Sequence, residues 1–189
     1  LGSLLDHSGP IGESERYTAR VFGADRTYHV TNGTSTSNRV VLMASVTRNQ
    51  IALCDRNCHK SVEHAITMSG AIPTYMVPTR NRYGIIGPIT PDRMTPDAVR
   101  QAIADNPLVK DGMDTTPVHA IITNSTYDGL CYNVNKVKEL LGQSVDRLHF
   151  DEAWYGYARF NPMYKGRFAM CCDPKDDDRK GPTMFATQS

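Results

Sequence analysis

The alternation of short β-type runs with helix-length segments constrains the fold of this chain more than any other feature. The pattern predicts strands at 27–31, 50–54, 72–77, 118–123, 147–150 and 183–187. The segments that fit helices between them are 38–47, 59–69, 95–105 and 133–141. Alternation of this kind is typical of an α/β domain with a mostly parallel sheet and helices on both faces.

Composition and charge limit the classes of protein and partner that the sequence allows. The chain has 189 residues, 40% hydrophobic and 22% charged, as in a soluble globular domain of ordinary size. The net charge of +1 comes from 21 basic and 20 acidic residues that are interspersed, which argues against a nucleic-acid partner. No run is apolar enough for a membrane span and residues 1–15 lack a signal-peptide pattern, so we expect a cytoplasmic protein without membrane contact.

The cysteines do not indicate a disulfide framework, and the charged C-terminal stretch does not indicate a domain linker. Five cysteines are an odd number without disulfide-framework spacing, and the adjacent Cys171 and Cys172 are poorly placed to bridge each other. We therefore expect reduced thiols. The stretch 173–182 (DPKDDDRKGP) predicts a solvated surface loop.

The first predicted strand ends in NGTSTSN, Asn32 to Asn38, before a helix. In open parallel sheets ligands bind beyond the carboxyl ends of strands, where free N–H groups at a helix start favour an anion, usually phosphate. Glycine lets the backbone approach closely, and the missing lysine of a Walker motif argues against triphosphate chemistry. A capped turn with three surface hydroxyls remains the alternative.

The second predicted strand leads into CDRNCHKS, which brings thiol, acid, base and imidazole together. A zinc site built on Cys54, Cys58 and His59 lacks a convincing fourth ligand, although His149 and Cys171 stay open as candidates. We expect no metal. His59 by itself fits a capping or packed histidine as well as a catalytic one.

The fifth predicted strand ends in HFDEAW, where an apolar run meets two acids and the only tryptophan. A buried carboxylate is costly without a cationic partner, and alternation lets Asp151 and Glu152 point to different sides. An inward carboxylate at the ligand edge suits a protonated ring nitrogen, as in pyridoxal phosphate enzymes. An Asp that caps the next helix is the alternative.

Several motifs together resemble one family. HVTNGTSTSN, DRNCHKS, PTRNRYGIIGPI, ITNSTYDGLCYN, HFDEAWYGYARFNPMY and the terminal ATQS look like the bacterial inducible ornithine/lysine/arginine decarboxylases. These are pyridoxal phosphate enzymes of fold type I, and the likeness covers nearly the whole chain in the family's order. Long motifs that agree at once are far more specific than any one of them.

The resemblance assigns one set of residues to the cofactor phosphate. Thr34 and Ser35 would bind it, Gly33 would permit the backbone approach, and Ser189 would be a further contact. We expect this cluster beside the carboxyl edge of the sheet.

A second set would hold the cofactor ring. The resemblance implies that His59 stacks on one face, Ala153 lies against the opposite face, and the indole N–H of Trp154 lies near the ring hydroxyl. Asp151 would pair with the ring nitrogen, and the cation that its burial calls for would then be the pyridinium. His59 and Asp151 are the catalytic candidates.

The activity implied by the resemblance is decarboxylation of a basic amino acid to an amine and carbon dioxide, with arginine favoured and lysine next. One proton is consumed per turnover, which is the chemical basis of the acid resistance associated with the family. Such sites are completed between subunits, so we expect a homodimer or larger homo-oligomer.

The family's pattern also implies that 189 residues are a partial cofactor domain. In the family ATQS is followed by Thr-His-Lys, whose lysine attaches the cofactor, and here the sequence ends at Ser189. The resemblance likewise implies that the N-terminal wing domain and the C-terminal domain of the family lie outside these 189 residues. We expect the isolated chain to be inactive.

Three alternatives stay open. A non-catalytic relative would keep the cofactor fold as a binding or regulatory subunit. A metal-binding module would use the cysteines and His59, and another fold type I enzyme, such as an aminotransferase, would share the ring and phosphate sites.

Overall fold

A five-stranded, all-parallel sheet forms the centre of the protein, whose computed structural model describes residues 2–171 and 181–189. The strand order is β2-β1-β3-β4-β5. The strands are β1 Ile51–Asp55, β2 Ile72–Met76, β3 Pro117–Thr123, β4 Arg147–Glu152 and β5 Thr183–Gln188. Five of the six predicted strands are confirmed, with small shifts of their ends.

Five α-helices accompany the sheet in the described part of the chain. They are α1 Gly9–Phe22, α2 Thr34–Ser45, α3 Lys60–Ser69, α4 Pro96–Ala104 and α5 Val134–Leu141. The four predicted helices, α2 to α5, are confirmed. Side-chain caps fix two of their starts: Thr95 accepts from the backbone N–H of Ala98 before α4, and Asn133 from that of Lys136 before α5.

Four short 3₁₀ helices complete the described elements. One precedes α4, and three follow β4 on the way to β5. Their bounds are Pro91–Met94, Gly156–Phe160, Pro162–Tyr164 and Ala169–Cys171.

The N-terminal region corrects two expectations. The prediction of a strand at 27–31 is wrong, because this segment is irregular and is held by α1 instead of by a neighbouring strand. The backbone N–H of His29 donates to Glu15 Oε1 at 2.9 Å, and the His29 ring contacts Ser14 Oγ at 3.0 Å. Helix α1 itself was not predicted, since it buries Gly12, Glu15 and Ala19 instead of an apolar stripe.

Residues 173–180 of the expected surface loop lie outside the described residues. In the residues that are described, no helix combines the length and the apolar character that crossing a membrane requires.

Helices cover both faces of the sheet, as the alternation predicts. In β1, Ala52 and Cys54 pack with Leu42 of α2 and Val62 of α3. The intervening strand residues point to the opposite face, where they meet α4 and α5. That larger cluster includes Ile51, Leu53, Val99, Ile103, Ile122, Val137, Leu141, Leu148 and Phe150. The two apolar layers fix the register of each strand, because a slip by one residue would exchange the faces.

The parallel arrangement brings the carboxyl ends of all strands to one edge. Strand β2 lies on one side of β1, and β3 lies on the other. The strand order therefore reverses at β1. Ligands bind at such points in open α/β sheets. The loop after β1 is anchored there by Asp55, which accepts from the N–H groups of Asn57 and Thr123.

Replacing a fully buried side chain of β4 tests this packing. Phe150→Ala removes a ring with 0% exposure, and we expect a loss of about 3 to 5 kcal/mol of stability. Phe160→Ala, at a ring that is half exposed, is the matched control and should cost about 1 kcal/mol or less. Denaturation midpoints of the two variants check this prediction, and equal losses would contradict it.

Candidate active site

The N-terminus of α2 provides a place for an anion. Gly33 caps it with φ +73°, where a side chain would be strained, and no atom lies within 4 Å of where its Cβ would be. The helix begins at Thr34, four residues before the predicted start, so the hydroxyls of Thr34 and Ser35 belong to its first turn. The first N–H groups of a helix have no partner within it and carry the positive end of its dipole.

The side chain of Thr34 is the strongest indication of a candidate anion site at the N-terminus of α2. Its side chain is 8% exposed, and its Oγ1 has no hydrogen-bond partner among the described residues. A buried hydroxyl without a partner is costly. An anion such as a phosphate group would satisfy it together with the free N–H groups.

Buried residues of α2 recur at intervals of about one turn, at Thr34, Asn38, Leu42 and Ser45. This spacing puts them on one face, directed at the sheet. Polar Thr34 and Asn38 are neighbours on that face, at the end nearest the carboxyl edge. Helix α2 therefore carries both the candidate anion site and a buried amide.

Asp151 lies near the carboxyl end of β4 and is 5% exposed. Its Oδ2 accepts from Asn38 Nδ2 at 2.8 Å, and its Oδ1 accepts from the backbone N–H of Ala153 at 3.2 Å. Burial raises the pKa of the Asp151 carboxyl, while these hydrogen bonds and the nearby His59 act in the opposite direction. No Lys or Arg of the described residues forms an ion pair with Asp151.

The expected pairing of Asp151 with a cationic ring nitrogen fits these contacts. Two neutral donors orient the carboxylate without supplying a positive charge, so its charge is available to a ligand. Because β3 and β5 flank Asp151 with Thr123 and Thr187, the carboxylate sits inside the sheet edge instead of in a solvent-exposed turn.

His59 is the N-cap of α3, as the alternative interpretation of its role predicts, yet its ring remains exposed. Its Nδ1 accepts from the backbone N–H of Ser61 at 3.2 Å and lies 2.9 Å from Ser61 Oγ. Asn38 Nδ2 reaches the same Ser61 Oγ at 3.1 Å. The structure thus connects His59 and Asp151, the two catalytic candidates, through Ser61 and Asn38.

Three further candidates lie at the end of β4 and β5. Ser189 Oγ donates to the backbone oxygen of Ala153 at 2.9 Å, which puts both next to Asp151. Trp154 is 53% exposed, and its ring centroid lies 5.3 Å from that of Tyr127. The roles expected of Ala153, Trp154 and Ser189 toward a cofactor stay predictions.

Ser35 is the remaining phosphate candidate. Its side chain is half-buried in the first turn of α2, and its backbone oxygen accepts from Arg39 Nε at 3.1 Å. This contact uses the backbone oxygen only, and the role expected of the Ser35 hydroxyl toward a phosphate stays a prediction.

Glu152 has a role separate from that of Asp151, as strand alternation predicts. It is fully buried and accepts from Asn124 Nδ2 at 3.0 Å, from the backbone N–H of Ala169 at 2.7 Å and from Gln188 Nε2 at 2.7 Å. Burial raises its pKa to about 7 despite these donors. Glu152 therefore joins β4 to β5 and to the segment before it.

Asn38, Ser61 and Thr187 connect the candidates and are not among the site residues that the sequence predicts. Thr187 Oγ1 donates to Asn38 Oδ1 at 2.6 Å and lies 3.1 Å from His149 Nε2. A polar residue one turn after Thr34, on a face that must be buried, is the signal that could have identified Asn38.

The zinc site left open by the sequence would use Cys54, Cys58 and His59, and the side chain of its further candidate Cys171 lies outside the described part of the chain. Among residues 2–171 and 181–189, no cluster of three or more His, Cys, Asp or Glu side chains is placed to hold a metal ion. Cys54 is fully buried, and burial raises the pKa of its thiol well above the usual value.

The fold and the candidate site define the class of this protein: an α/β domain with an open parallel sheet and a candidate ligand site at its carboxyl edge. The chain belongs to the Orn/Lys/Arg decarboxylase family, because residues 1–189 match the major domain of that family. This confirms the resemblance carried by the motifs.

Individual relatives agree with the family. Over 189 residues the chain is 56% identical to the biodegradative arginine decarboxylase of Escherichia coli and 51% identical to a lysine decarboxylase of Pseudomonas aeruginosa. The structure of lysine decarboxylase A from Pseudomonas aeruginosa superposes with a TM-score of 0.92 at 50% identity. All three comparisons cover 100% of this chain and 25% of the relative, so the chain spans a quarter of their length.

A substitution at Thr34 tests the anion site. Thr34→Val keeps the shape but removes the unpartnered hydroxyl, and a hydrogen bond to a charged group is worth about 1.5 to 3 kcal/mol. We expect pyridoxal phosphate to bind ~10- to 100-fold more weakly. Thr36→Val is the control, since the Thr36 hydroxyl bonds back to the Asn32 oxygen. Spectroscopic titration of the complete polypeptide containing residues 1–189 measures both, and equal affinities would refute the assignment.

Glu152 predicts a pH dependence of stability. Its pKa in the folded protein, about 7, exceeds the ordinary 4.5, so the folded state holds the proton more tightly than the unfolded state. The protonated Glu152 contributes its full stabilisation below pH 4.5, the ordinary pKa, and this contribution is lost as the pH rises through about 7. The free energy of unfolding falls by about 3 kcal/mol in total. Glu152→Gln should remove this dependence between about pH 5 and about pH 8.

Denaturation midpoints at the two pH values check the Glu152 prediction. The exposed Glu139→Gln, which loses only a surface contact to Lys136, should behave like the unaltered protein. A Glu152→Gln variant that keeps the full pH step would show that another group titrates.

Proposed function

We propose that the complete polypeptide containing this chain is a pyridoxal phosphate-dependent decarboxylase of a basic amino acid, with arginine favoured and lysine next. The observation that carries the proposal is the buried Asp151, a carboxylate held by neutral donors at the ligand edge of a domain from this family. The order of substrates follows the identities of 56% to an arginine decarboxylase and 51% to a lysine decarboxylase.

The residues present fit the cofactor at both of its ends. The unpartnered Thr34 hydroxyl, the free N–H groups of α2 and the open space at Gly33 suit the phosphate. The Asp151 carboxylate suits the protonated ring nitrogen, and the exposed ring of His59 suits stacking. When bound, pyridoxal phosphate supplies an electron sink for the bond to the departing carboxylate.

Each of the candidate site residues has its own role in this mechanism. Asp151 holds the proton on the ring nitrogen, because a cation beside a buried carboxylate favours the charged form of both partners. Thr34 and the start of α2 anchor the phosphate and so fix the orientation of the reacting group. His59 is held by Ser61 and keeps its exposed ring in one place. Ala153 and Trp154 complete the surroundings of the ring, and Ser189 the phosphate contacts.

The domain, assembly and location follow from the same proposal. Residues 1–189 would be part of the large cofactor domain, since they cover 25% of the relatives' length. The complete enzyme would act as a homodimer or larger homo-oligomer, with no nucleic-acid or membrane partner. A cytoplasmic location suits the free thiols of Cys54, Cys58 and Cys131.

The test measures carbon dioxide release from arginine, lysine and ornithine by the complete polypeptide saturated with pyridoxal phosphate. We expect turnover, fastest with arginine, and a loss of at least ~100-fold in kcat for Asp151→Asn, the scale of losing one preorganised electrostatic partner. Asp146→Asn, an exposed carboxylate just before the amino end of β4, should leave turnover unchanged.

Two results would contradict the proposal in different ways. Bound cofactor without turnover of any of the three amino acids would favour a non-catalytic relative. Transfer of the amino group without release of carbon dioxide would point to an aminotransferase.

A further inference from the structure

Asn38 is a buried amide on α2 that makes hydrogen bonds to three other elements, α3, β4 and β5. It is 1% exposed in the middle of α2. Its Nδ2 donates to Asp151 Oδ2 at 2.8 Å on β4 and to Ser61 Oγ at 3.1 Å on α3. Its Oδ1 accepts from Thr187 Oγ1 at 2.6 Å on β5. An amide has two N–H hydrogens to donate, and both are used toward the site.

The chain of hydrogen bonds from Asn38 through Thr187 to His149 has a fixed donor-to-acceptor direction. An ionised Asp151 can only accept, so the NH₂ group of Asn38 must face it and the Asn38 oxygen must face Thr187. The Thr187 hydroxyl gives its hydrogen to that oxygen and accepts from His149 Nε2–H at 3.1 Å. His149 Nδ1 is buried without a partner, and burial holds the pKa of His149 well below its usual value, so this ring is neutral.

The donors and acceptors of the hydrogen bonds from Asn38 through Ser61 to His59 are also determined. The backbone N–H of Ser61 can only donate, so His59 Nδ1 is an acceptor and carries no proton. The Ser61 hydroxyl therefore donates to Nδ1 at 2.9 Å and accepts from Asn38. Since Nδ1 accepts, the ring N–H of His59 is on Nε2. Asn38 thus bears on the tautomer of His59 as well as on the carboxylate of Asp151.

We propose that Asn38 is a positioning residue of the cofactor site, which orients the Asp151 carboxylate toward the ring nitrogen and couples it to the ring of His59 through Ser61. The inference rests on the proposed function, because it takes the ring nitrogen of pyridoxal phosphate as the partner of Asp151. It adds a second layer of residues behind the cofactor contacts: Asn38, Ser61 and Thr187.

An amide is suited to this position by its lack of charge. A Lys, Arg or protonated His behind Asp151 would form an ion pair with it and compete with the cationic ring. Asn38 orients the carboxylate by a hydrogen bond and leaves its charge to the ligand. The titratable groups around Asp151 are His59, Glu152 on the opposite face and, behind Thr187, His149, which burial keeps neutral.

The experiment uses the complete polypeptide with pyridoxal phosphate labelled with ¹⁵N at the ring nitrogen. Solid-state ¹⁵N NMR reports whether that nitrogen carries a proton. Asn38→Leu keeps the branched shape of the side chain and removes every hydrogen bond of the amide. We expect the cofactor still to bind, the ring nitrogen signal to move toward the unprotonated form, and kcat to fall ~10- to 100-fold, as is typical when the support of a site ligand is removed. KM should change much less than kcat.

Further variants separate positioning from a general loss of structure. Asn106→Leu is the matched control: Asn106 also donates twice, to Pro73 O at 2.8 Å and Thr74 Oγ1 at 2.9 Å, but next to β2. It should leave the nitrogen signal unchanged. Thr187→Val removes only the hydrogen bonds of Thr187 to Asn38 and His149. We expect a smaller shift of the ring nitrogen signal in the same direction. Should Asn38→Leu fail to fold, Thr187→Val decides the outcome by itself.

The outcomes distinguish this inference from the proposed function. If the unaltered polypeptide binds no pyridoxal phosphate, the proposed function fails. If it binds the cofactor with a protonated ring nitrogen, and Thr187→Val and any folded Asn38→Leu protein show the same signal and the same kcat, the positioning role of Asn38 is overturned and the function stands.

Discussion

The burial of the Asp151 carboxylate is the constraint around which this end of the sheet is organised. A carboxylate taken out of water needs donors, and an unpaired buried charge is among the most costly features a fold can contain. Here the donors are the Asn38 amide and the Ala153 backbone, neither of which carries charge. No Lys or Arg of the described residues pairs with Asp151, so the carboxylate suits the cationic ring nitrogen of the proposed chemistry.

Asp151 and Glu152 show how strand geometry separates two chemically similar side chains. They are adjacent in β4 and both are buried, yet they point to opposite faces. Glu152 meets three donors and joins neighbouring segments, which is a structural task. Asp151 meets two donors and keeps capacity for a ligand. The number and kind of partners distinguish the two roles, not the burial alone.

The sequence predicts the sheet well because each buried strand is a short apolar run of the right length, as at Ile51–Asp55. It fails at α1, whose buried positions are Gly12, Glu15 and Ala19 and so show no apolar period. It predicts the ends of strands where Asp151 and His59 lie, and the family motifs supply their expected roles. It does not predict the connection between them, because Asn, Ser and Thr are residue types common in caps and turns, and Asn38, Ser61 and Thr187 meet only after folding.

Helix α2 unites the two ends of the candidate site. Thr34 begins the helix and Asn38 follows four residues later on the same buried face, about 6 Å further along the axis. The first faces the expected phosphate and the second holds the carboxylate expected at the ring nitrogen. Because a helix is rigid over one turn, the separation of the two candidate contacts is set by helix geometry and not by loop packing. Leu42, buried one turn further on, fixes α2 against the sheet, so core packing and the geometry of the site depend on the same helix face.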